Sequence, residues 1–401
     1  MWIQAVTFYF YQFIIRVATG NLKEPLTIEF NLSASQYGLF ASYWLISYAL
    51  LQVPVGIALD KWGSRKIFSL SALLCGVGTL IMSCTESFSW LCFSRLLIGA
   101  GSASGFIGTF KISSEWFDAK RLPLLVGSIS AIGVLGASLA GAPMVVLQQS
   151  VGWRAIFFGL SLTAFVLSIV YMLVLRDKKL PSHISLKEIK QQILHLVTEP
   201  QIWLLGFVGF LLYTPVSVLA EVWGPAFMKQ VYGFSSIESA FASSFIFYGN
   251  AFGSFFAGWV FSKFISNKRF FSLFMFLATF SMAVVIWVKL SGFWMLCCGL
   301  FFVGSMVGAE NMVFPLGARY VEQSFQGLSA SIINLLVMVG AIALQPGIGF
   351  VMDYLWEGHM EGGFPVYTIE QYKWGLSALI VSMILGIVLS LFVKGKTKGG
   401  K

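Results

Sequence analysis

Five charged side chains interrupt long apolar stretches of the chain. They are Arg16, Arg95, Lys111, Glu221 and Glu310. An ionised group inside a bilayer costs about 2.5–3.5 kcal/mol on insertion scales unless it faces a water-filled cavity or a partner. Such residues are expected to hold a polar solute, a proton or one another. Charges of both signs suit a small solute that carries a dipole.

The spacing of polar residues places these charges on common helix faces. Three polar stripes have residues three or four positions apart: Gln12, Arg16, Thr19 and Lys23; Ser104, Gly108, Lys111 and Glu115; and Tyr213, Ser217 and Glu221. Side chains at this spacing share one face of an α-helix. A polar face on an apolar helix points at water or at another helix and not at lipid. We therefore predict that these faces line an internal cavity.

The composition requires a membrane for the helices that carry these faces. The 401 residues are 57% hydrophobic and 11% charged, with a mean hydropathy of +0.82. Soluble domains carry about 25% charged residues. The net charge of +9 comes from residues at helix ends and not from one basic patch, so the bilayer is the expected partner and nucleic acid is excluded.

Apolar stretches predict an all-α membrane protein with twelve transmembrane helices. We call them spans 1 to 12. Their predicted ranges are 3–27, 36–58, 66–84, 89–115, 122–147, 153–175, 201–228, 237–262, 269–289, 292–319, 325–352 and 371–393. The long polar interval between spans 6 and 7 divides the chain into a bundle at 1–175, a cytoplasmic linker at 176–200 with an amphipathic surface helix, and a bundle at 201–401.

The distribution of lysine and arginine predicts the orientation. Basic residues are concentrated in the loops on the side of the termini, which places both termini in the cytoplasm of a bacterial inner membrane. The first apolar segment is too long for a signal peptide, so we expect it to be retained as span 1. The five cysteines fall in or near apolar stretches and are expected to be small buried hydrophobes.

The link between spans 2 and 3 is short, charged and sharply turning. It contains Gly56, Asp60, Gly63 and Arg65. This pattern resembles the loop between helices 2 and 3 of the major facilitator superfamily. The resemblance implies two pseudo-symmetric six-helix bundles and a cytoplasmic latch made by these residues, with Glu115 as the acid that Arg65 reaches. The alternative is a basic turn that serves topology alone.

Further stretches carry the same resemblance. Arg95 lies in a Ser-Arg-Leu-Leu-Ile-Gly segment like that of the fourth helix, and Gly152-Trp153-Arg154 resembles the start of the sixth. An offset of about 200 residues relates Gly56 to Gly258 and Pro143 to Pro346, as expected for an internal duplication.

The resemblance implies that spans 1, 4, 7 and 10 line a central cavity, which would contain all five charges. The duplication offset brings Arg16 to the depth of Glu221, so we predict that the two are close in one state or bind the two ends of a zwitterion. Lys111 and Glu310 form a second candidate pair. The alternative is that the charges are ion pairs that only fix helix register, and Arg95 suits this structural role best.

Other polar and aromatic side chains complete the predicted cavity. A carboxylate in a low-dielectric cavity can take up and release a proton near neutral pH, which makes Glu221 and Glu310 the proton-coupling candidates. Most aromatic residues in such a chain are packing residues or interfacial anchors, so only the set as a whole is predicted to contact solute. The set comprises Tyr43, Trp44, Ser47, Tyr48, Tyr213, Tyr248, Asn250, Asn311 and Asn334.

Span 1 resembles a narrower group. Its Phe8 to Phe13 segment followed by Arg16-Val17, with Gln52 to Gly56 in span 2, is similar to the phagosomal nutrient transporters of intracellular bacteria. That group implies amino acids or nucleosides as substrates. The continuation Ala18 to Asn21 departs from the group's Ser-Pro pattern.

The sequence contains no phosphate-binding loop, no zinc-protease motif and no catalytic triad pattern. We therefore expect no enzyme activity, no cofactor and no metal. The predicted function is proton-coupled import of a small polar or zwitterionic metabolite, with amino acids first, by a monomer. The alternatives are an exporter of drugs or of a metallophore, and a transporter-like sensor or membrane-embedded enzyme.

Overall fold

The computed structural model describes residues 1–117, 122–177, 186–264, 270–288, 290–320, 326–361 and 364–394. Within them, twelve helical segments follow the predicted spans, and predicted and observed ends differ by about one helical turn at most. Spans 1 to 6 consist of Trp2–Val17, Ala18–Leu22 and Lys23–Phe30; Ala34–Trp62; Ser64–Cys84; Phe88–Ser102 and Ser104–Trp116; Leu122–Leu139 and Ala142–Val151; and Trp153–Val174.

A separate helix, Leu186–Thr198, precedes the second group of spans. Spans 7 to 12 consist of Pro200–Thr214, Pro215–Trp223, Gly224–Phe227 and Met228–Tyr232; Ser236–Phe264; Phe270–Trp287; Phe293–Val307, Gly308–Met312, Val313–Gly317 and Ala318–Tyr320; Gln326–Tyr354; and Ile369–Ser390. A two-stranded antiparallel sheet, Met360–Glu361 with Phe364–Pro365, lies between spans 11 and 12.

The outer surface of the helices is apolar. Leu173 is 76% exposed and Phe255 is 80% exposed. Nine helices in the described residues are long and apolar enough to cross a membrane, and Phe271–Trp287 is a shorter apolar helix. A continuous apolar surface of this kind is stable only against lipid. The chain is therefore a multi-pass membrane protein.

Local sequence signals explain where several spans begin. Ser33 and Gln36 form a capping box at the start of span 2, and Thr368 and Gln371 form another at the start of span 12. The side chain of each first residue satisfies a backbone N–H that has no partner within the helix. Gly63 turns the chain between spans 2 and 3 with a φ of 85° and a ψ of 161°, a conformation open to glycine alone.

Spans 1, 4, 7 and 10 are interrupted near their middles. Span 1 changes to a 3₁₀-helix at Ala18, span 4 breaks at Ala103, span 7 becomes a π-helix from Pro215, and span 10 becomes a 3₁₀-helix at Gly308. Discontinuous transmembrane helices and π-helical turns are typical of binding sites because they re-aim side chains and backbone groups. Glu221 and Glu310 lie within these irregular segments, and Arg16 lies two residues before one.

The two six-span groups meet closely along spans 2 and 11. A Cβ added to Gly38 would lie 2.4 Å from the Gln345 carbonyl oxygen, and one added to Gly349 would lie 2.2 Å from that of Ala34. Gly141 of span 5 approaches the Ser244 hydroxyl of span 8 in the same way. All three contacts lie toward the helix ends opposite the chain termini. The groups are therefore packed together on that side.

Within the second group, glycines bring spans 8 and 10 into backbone contact. Gly249 and Gly253 on span 8 face Gly304 and Gly308 on span 10. A Cβ on Gly253 would lie 1.9 Å from the Ser305 carbonyl oxygen. Pairs of glycines four residues apart allow this approach, which gains van der Waals contact in a medium that supplies no hydrophobic force between helices.

All five cysteines are free thiols. Cys75, Cys92 and Cys297 are buried, as predicted. The prediction was wrong for Cys84 and Cys298, which are exposed. A thiol is tolerated on a lipid-facing surface because it behaves there as a small hydrophobe.

Candidate substrate site between the two groups of spans

Arg16 and Glu221 form a buried ion pair that links span 1 to span 7. Nη2 of Arg16 lies 2.7 Å from one carboxylate oxygen, and Nε donates to the other at 3.0 Å. Nη2 also donates to the Tyr213 hydroxyl at 2.6 Å, and that hydroxyl donates to Glu221 at 3.3 Å. Both charged side chains are 5% exposed. The predicted proximity of Arg16 and Glu221 is therefore present.

Aromatic rings surround the guanidinium of this pair. The Arg16 guanidinium carbon lies 4.6 Å from the ring centroid of Trp44 and 5.4 Å from that of Phe13. Tyr48 stacks on Trp44 with ring centroids 4.7 Å apart. An arginine over an aromatic face gains cation–π attraction and keeps its in-plane N–H donors free to bind an anion.

Glu310 lies near this pair without joining it. Arg16 is the cation that interacts electrostatically with its carboxylate. Its Oε2 is buried and has no hydrogen-bond partner in the described part of the chain. Both side-chain atoms of the fully buried Gln12, one turn before Arg16, are likewise without a partner there. The hydrogen-bonding capacity of these atoms is therefore unsatisfied among the described residues.

Lys111 lies elsewhere and does not meet Glu310. Its ammonium lies 3.6 Å from Glu115 on the same helix and donates to the Leu59 carbonyl oxygen at 2.9 Å. Its long side chain reaches the last turn of span 2, where carbonyl groups lack helical partners. The predicted Lys111–Glu310 pair does not form in this conformation because each side chain faces a different environment.

The remaining predicted cavity residues are divided between the site and its surroundings. The Tyr48 hydroxyl lies close to the side-chain amides of Gln52 and Asn334, so span 11 contributes to the site. Asn311 donates to the Ser254 hydroxyl at 2.8 Å and joins spans 10 and 8. Tyr248 packs edge-on against Phe245 of its own span, and Tyr43 is half-buried.

Residues of the predicted latch lie in the first group of spans. The backbone N–H of Arg65 donates to Asp177 at 3.0 Å, and a Cβ on Gly63 would meet the same carboxylate. The acid at the Arg65 backbone is thus Asp177, just after span 6, while Glu115 lies 3.6 Å from the Lys111 ammonium. The predicted contact between the Arg65 side chain and Glu115 stays a prediction.

Two further latch residues were predicted. Asp60 belongs to the helix of span 2, and its side chain lies outside the described residues. Gly56 faces open space, since a Cβ added there would meet nothing within 4 Å.

The side opposite the termini is closed by an aromatic cage around Lys23, whose aromatic partners were not predicted from the sequence. The Lys23 ammonium lies 4.6 Å from the ring centroid of Tyr372, 5.1 Å from Trp223 and 5.4 Å from Tyr367. It also donates to the Tyr372 hydroxyl. Lys23 lies on the predicted polar stripe of span 1, one turn beyond Thr19.

Asp353 adds hydrogen bonds between spans 11 and 2 on the same side of the protein. Its carboxylate accepts the backbone N–H groups of Ala34 at 3.0 Å and of Ser35 at 2.9 Å, and it also contacts Tyr367. An acid from span 11 thus caps the N-terminus of span 2, where the helix dipole favours negative charge. Nearby, Lys229 of span 7 pairs with Glu24 of span 1.

Arg95 is buried between spans 4, 1 and 2. Nη1 donates to the Ile15 carbonyl oxygen at 3.4 Å, and the guanidinium lies 5.5 Å from the Phe40 ring. These contacts fit the structural role expected for it.

Comparison with known families identifies the fold that produces this geometry. A model described as Major Facilitator Superfamily matches residues 1–345. The chain belongs to the major facilitator superfamily. Its members are secondary transporters and not enzymes, so the central ion pair lies in a transport protein. This agrees with the twelve helices in two six-helix groups.

Individual similarities span nearly the whole chain. The quinolone resistance transporter of Acinetobacter baumannii is 23% identical and covers 99% of this chain and 93% of its own. The hexuronate transporter of Escherichia coli strain K12 is 22% identical, and the match covers 90% of this chain and 91% of the relative. The solved structure of a bacterial homologue of the human lysosomal transporter Spinster, inward-facing and unoccupied, superposes with a TM-score of 0.79. The two sequences are 18% identical, and the superposition covers 100% of this chain and 98% of the other. This major facilitator fold therefore extends over the full chain.

Proposed function

We propose that this major facilitator protein imports a small polar metabolite that carries a carboxylate, coupled to protons, by alternating access around Arg16. The observation that carries the proposal is the buried Arg16–Glu221–Tyr213 cluster between the two groups of spans. A planar guanidinium binds carboxylates through two parallel hydrogen bonds, so the substrate's carboxylate takes the position of Glu221.

Competition for Arg16 provides a route to proton coupling. While ionised, Glu221 occupies the two guanidinium donors that a substrate carboxylate would use. Protonation neutralises Glu221 and weakens its attraction for Arg16, so the guanidinium accepts the substrate. Loss of the proton reverses the exchange. Substrate and proton are thereby bound together, as symport requires, with Glu310 as a second proton-accepting group.

The contacts that close the side opposite the termini support an assignment of the open side of the protein. We infer that the termini are cytoplasmic, in a bacterial inner membrane, on the strength of the basic loops. The Lys23 cage and the Asp353 cap then close the periplasmic side, and the site communicates with the cytoplasm. The two groups, 1–175 and 201–401, would rock about the site, joined by the 176–200 linker. A monomer suffices because both walls of the site come from one chain.

Amino acids and sugar acids are the leading substrate classes. The resemblance of span 1 to phagosomal nutrient transporters supports amino acids, whose carboxylate would bind Arg16 and whose ammonium would bind an acid. The likeness to a hexuronate transporter supports sugar acids. The likeness to a quinolone resistance transporter supports drug export as the second candidate function.

Uptake into proteoliposomes distinguishes these possibilities. A labelled panel of amino acids, sugar acids and nucleosides is offered with and without an inward proton gradient, and quinolone movement is followed in inverted vesicles. We expect gradient-stimulated accumulation of one carboxylate-bearing class. Quinolone movement without accumulation of any metabolite would overturn import in favour of export.

A further inference from the structure

Five buried polar atoms around Arg16 have no hydrogen-bond partner in the described residues. They are Nε2 and Oε1 of Gln12, Nε1 of Trp44, Nε2 of Gln52 and Oε2 of Glu310. Their residues are between 0% and 7% exposed. Unpaired polar atoms at this depth are unfavourable, and native proteins usually pair them. Several in one region indicate a surface built to receive a polar ligand.

The four residues are related to the same guanidinium, either directly or through neighbouring side chains. Trp44 lies under Arg16, and its stacking partner Tyr48 lies close to the Gln52 amide. Arg16 acts electrostatically on Glu310, and both interact with Tyr213. Gln12 lies one helical turn before Arg16 on the same face of span 1. A ligand whose carboxylate binds Arg16 would extend its remaining atoms among them.

The unpaired donors and acceptors of these four residues indicate which chemical groups the ligand carries besides its carboxylate. The Trp44 indole N–H is only a donor, and the Glu310 carboxylate is an acceptor when ionised. Each glutamine presents one donor group and one acceptor whichever way its amide is turned. An ammonium group would satisfy the acceptors and leave the indole and amide N–H groups unpaired. A hydroxyl both donates and accepts, so several hydroxyls satisfy every member.

We infer that Gln12, Trp44, Gln52 and Glu310 form a hydroxyl-binding subsite beside Arg16, and that the substrate is a polyhydroxylated carboxylate. The inference rests on the proposed function, because Arg16 must hold the carboxylate. The inference favours sugar acids over amino acids, because hydroxyls would give every unpaired buried atom a hydrogen-bond partner and an ammonium would not. A site that hydrogen-bonds hydroxyls rejects analogues that lack them, because its own groups are then left unpaired.

Three acids of equal carbon number test the subsite. Gluconate carries hydroxyls, hexanoate carries none, and norleucine carries an α-amino group in their place. Binding to the purified full chain is measured by calorimetry. We expect gluconate to bind at least about tenfold more tightly than the other two, the factor that one well-placed hydrogen bond provides. Tighter binding of norleucine or hexanoate would overturn the inference.

Substitutions then assign the preference to the subsite. Trp44→Phe keeps the ring under Arg16 and removes the indole N–H, so gluconate affinity should fall about tenfold while hexanoate affinity is unchanged. Gln52→Met is a second variant of similar volume. Trp294→Phe, at a position 66% exposed, is the matched control. Unchanged gluconate affinity in both site variants would overturn the subsite.

The panel uptake experiment keeps the two proposals separate. Accumulation of an amino acid, with no binding of gluconate, would leave carboxylate import standing and remove the hydroxyl subsite. Absence of accumulation of any carboxylate would remove the proposed function itself.

Discussion

Arg16 contributes geometry as well as charge at the centre of the molecule. Its two nitrogens reach both oxygens of Glu221, and one of them also reaches Tyr213. A lysine ammonium is a point charge and cannot reproduce this planar set of donors. The residue is therefore predicted to select carboxylates by shape.

Arg16→Lys tests this selection. We expect the KM for carboxylate uptake to rise by about tenfold or more, because a paired set of hydrogen bonds is lost while the charge remains. The measurement is initial uptake against substrate concentration. Arg154→Lys is the control, since Arg154 pairs with Glu29 at a partly exposed site where an ion pair contributes about 0–1 kcal/mol. Equal KM values for Arg16→Lys and wild type would contradict the assignment.

Individual contacts were predictable from sequence to different extents. The Arg16–Glu221 pair followed from the duplication offset, because equivalent depths on facing helices bring two side chains together. The same reasoning failed for Lys111, whose flexible side chain finds Glu115 and the Leu59 carbonyl within its own group of spans. An argument from equivalent depths in the membrane does not consider hydrogen-bond partners that lie within the same group of spans.

At the scale of elements, apolar stretches and charged links predicted all twelve spans. The interruptions in spans 1, 4, 7 and 10 were not predicted, because the polar residues there were interpreted as cavity-facing positions on continuous helices. They depend on packing between helices. Pro215 alone gave a local signal, at the start of the π-helix.

The turn between spans 2 and 3 offers a paired test in one motif. Gly63→Ala places a Cβ at a φ of 85° and against the Asp177 carboxylate, so we expect a loss of about 1–3 kcal/mol in unfolding free energy. Gly56→Ala meets nothing within 4 Å and should be neutral or stabilising, since alanine favours helix. Thermal unfolding in detergent measures both. A Gly63→Ala midpoint equal to that of wild type would refute the strained turn.

The contact between spans 8 and 10 gives a second element test. Gly253→Ala adds a Cβ where the Ser305 carbonyl oxygen leaves no room, so the spans must separate and the thermal midpoint should fall. Gly159→Ala, which meets nothing within 4 Å, is the control. Equal thermal midpoints for Gly253→Ala and Gly159→Ala would contradict the close backbone contact between spans 8 and 10.

At the scale of the whole molecule, the closed side was beyond sequence analysis. Lys23, Asp353 and Gln345 make contacts between the two groups of spans in this conformation, and a sequence does not specify which conformation of a transport cycle is described. Gln345 illustrates this, since its side-chain carbonyl accepts from the Ser42 hydroxyl of span 2 at 3.4 Å, across the two groups of spans. This hydrogen bond must break for that side to open.

A cysteine pair across the closed side tests whether opening is required. Ser35 and Asp353 contact each other through their side chains, so Ser35→Cys with Asp353→Cys should form a disulfide on oxidation. The five natural cysteines are replaced first. We expect oxidation to stop uptake and a reductant to restore it, while each single variant is insensitive to oxidation. Undiminished uptake by the cross-linked protein would show that this side does not open during transport.

The most direct test of the central claim compares wild type with Glu221→Gln. The amide mimics the protonated acid, so the variant should lose accumulation driven by a proton gradient but retain exchange of labelled for unlabelled carboxylate. Glu357→Gln, at a site 74% exposed, should behave as wild type. Accumulation by Glu221→Gln at the wild-type level would contradict the account, because Glu221 would then neither carry the proton nor control access to Arg16.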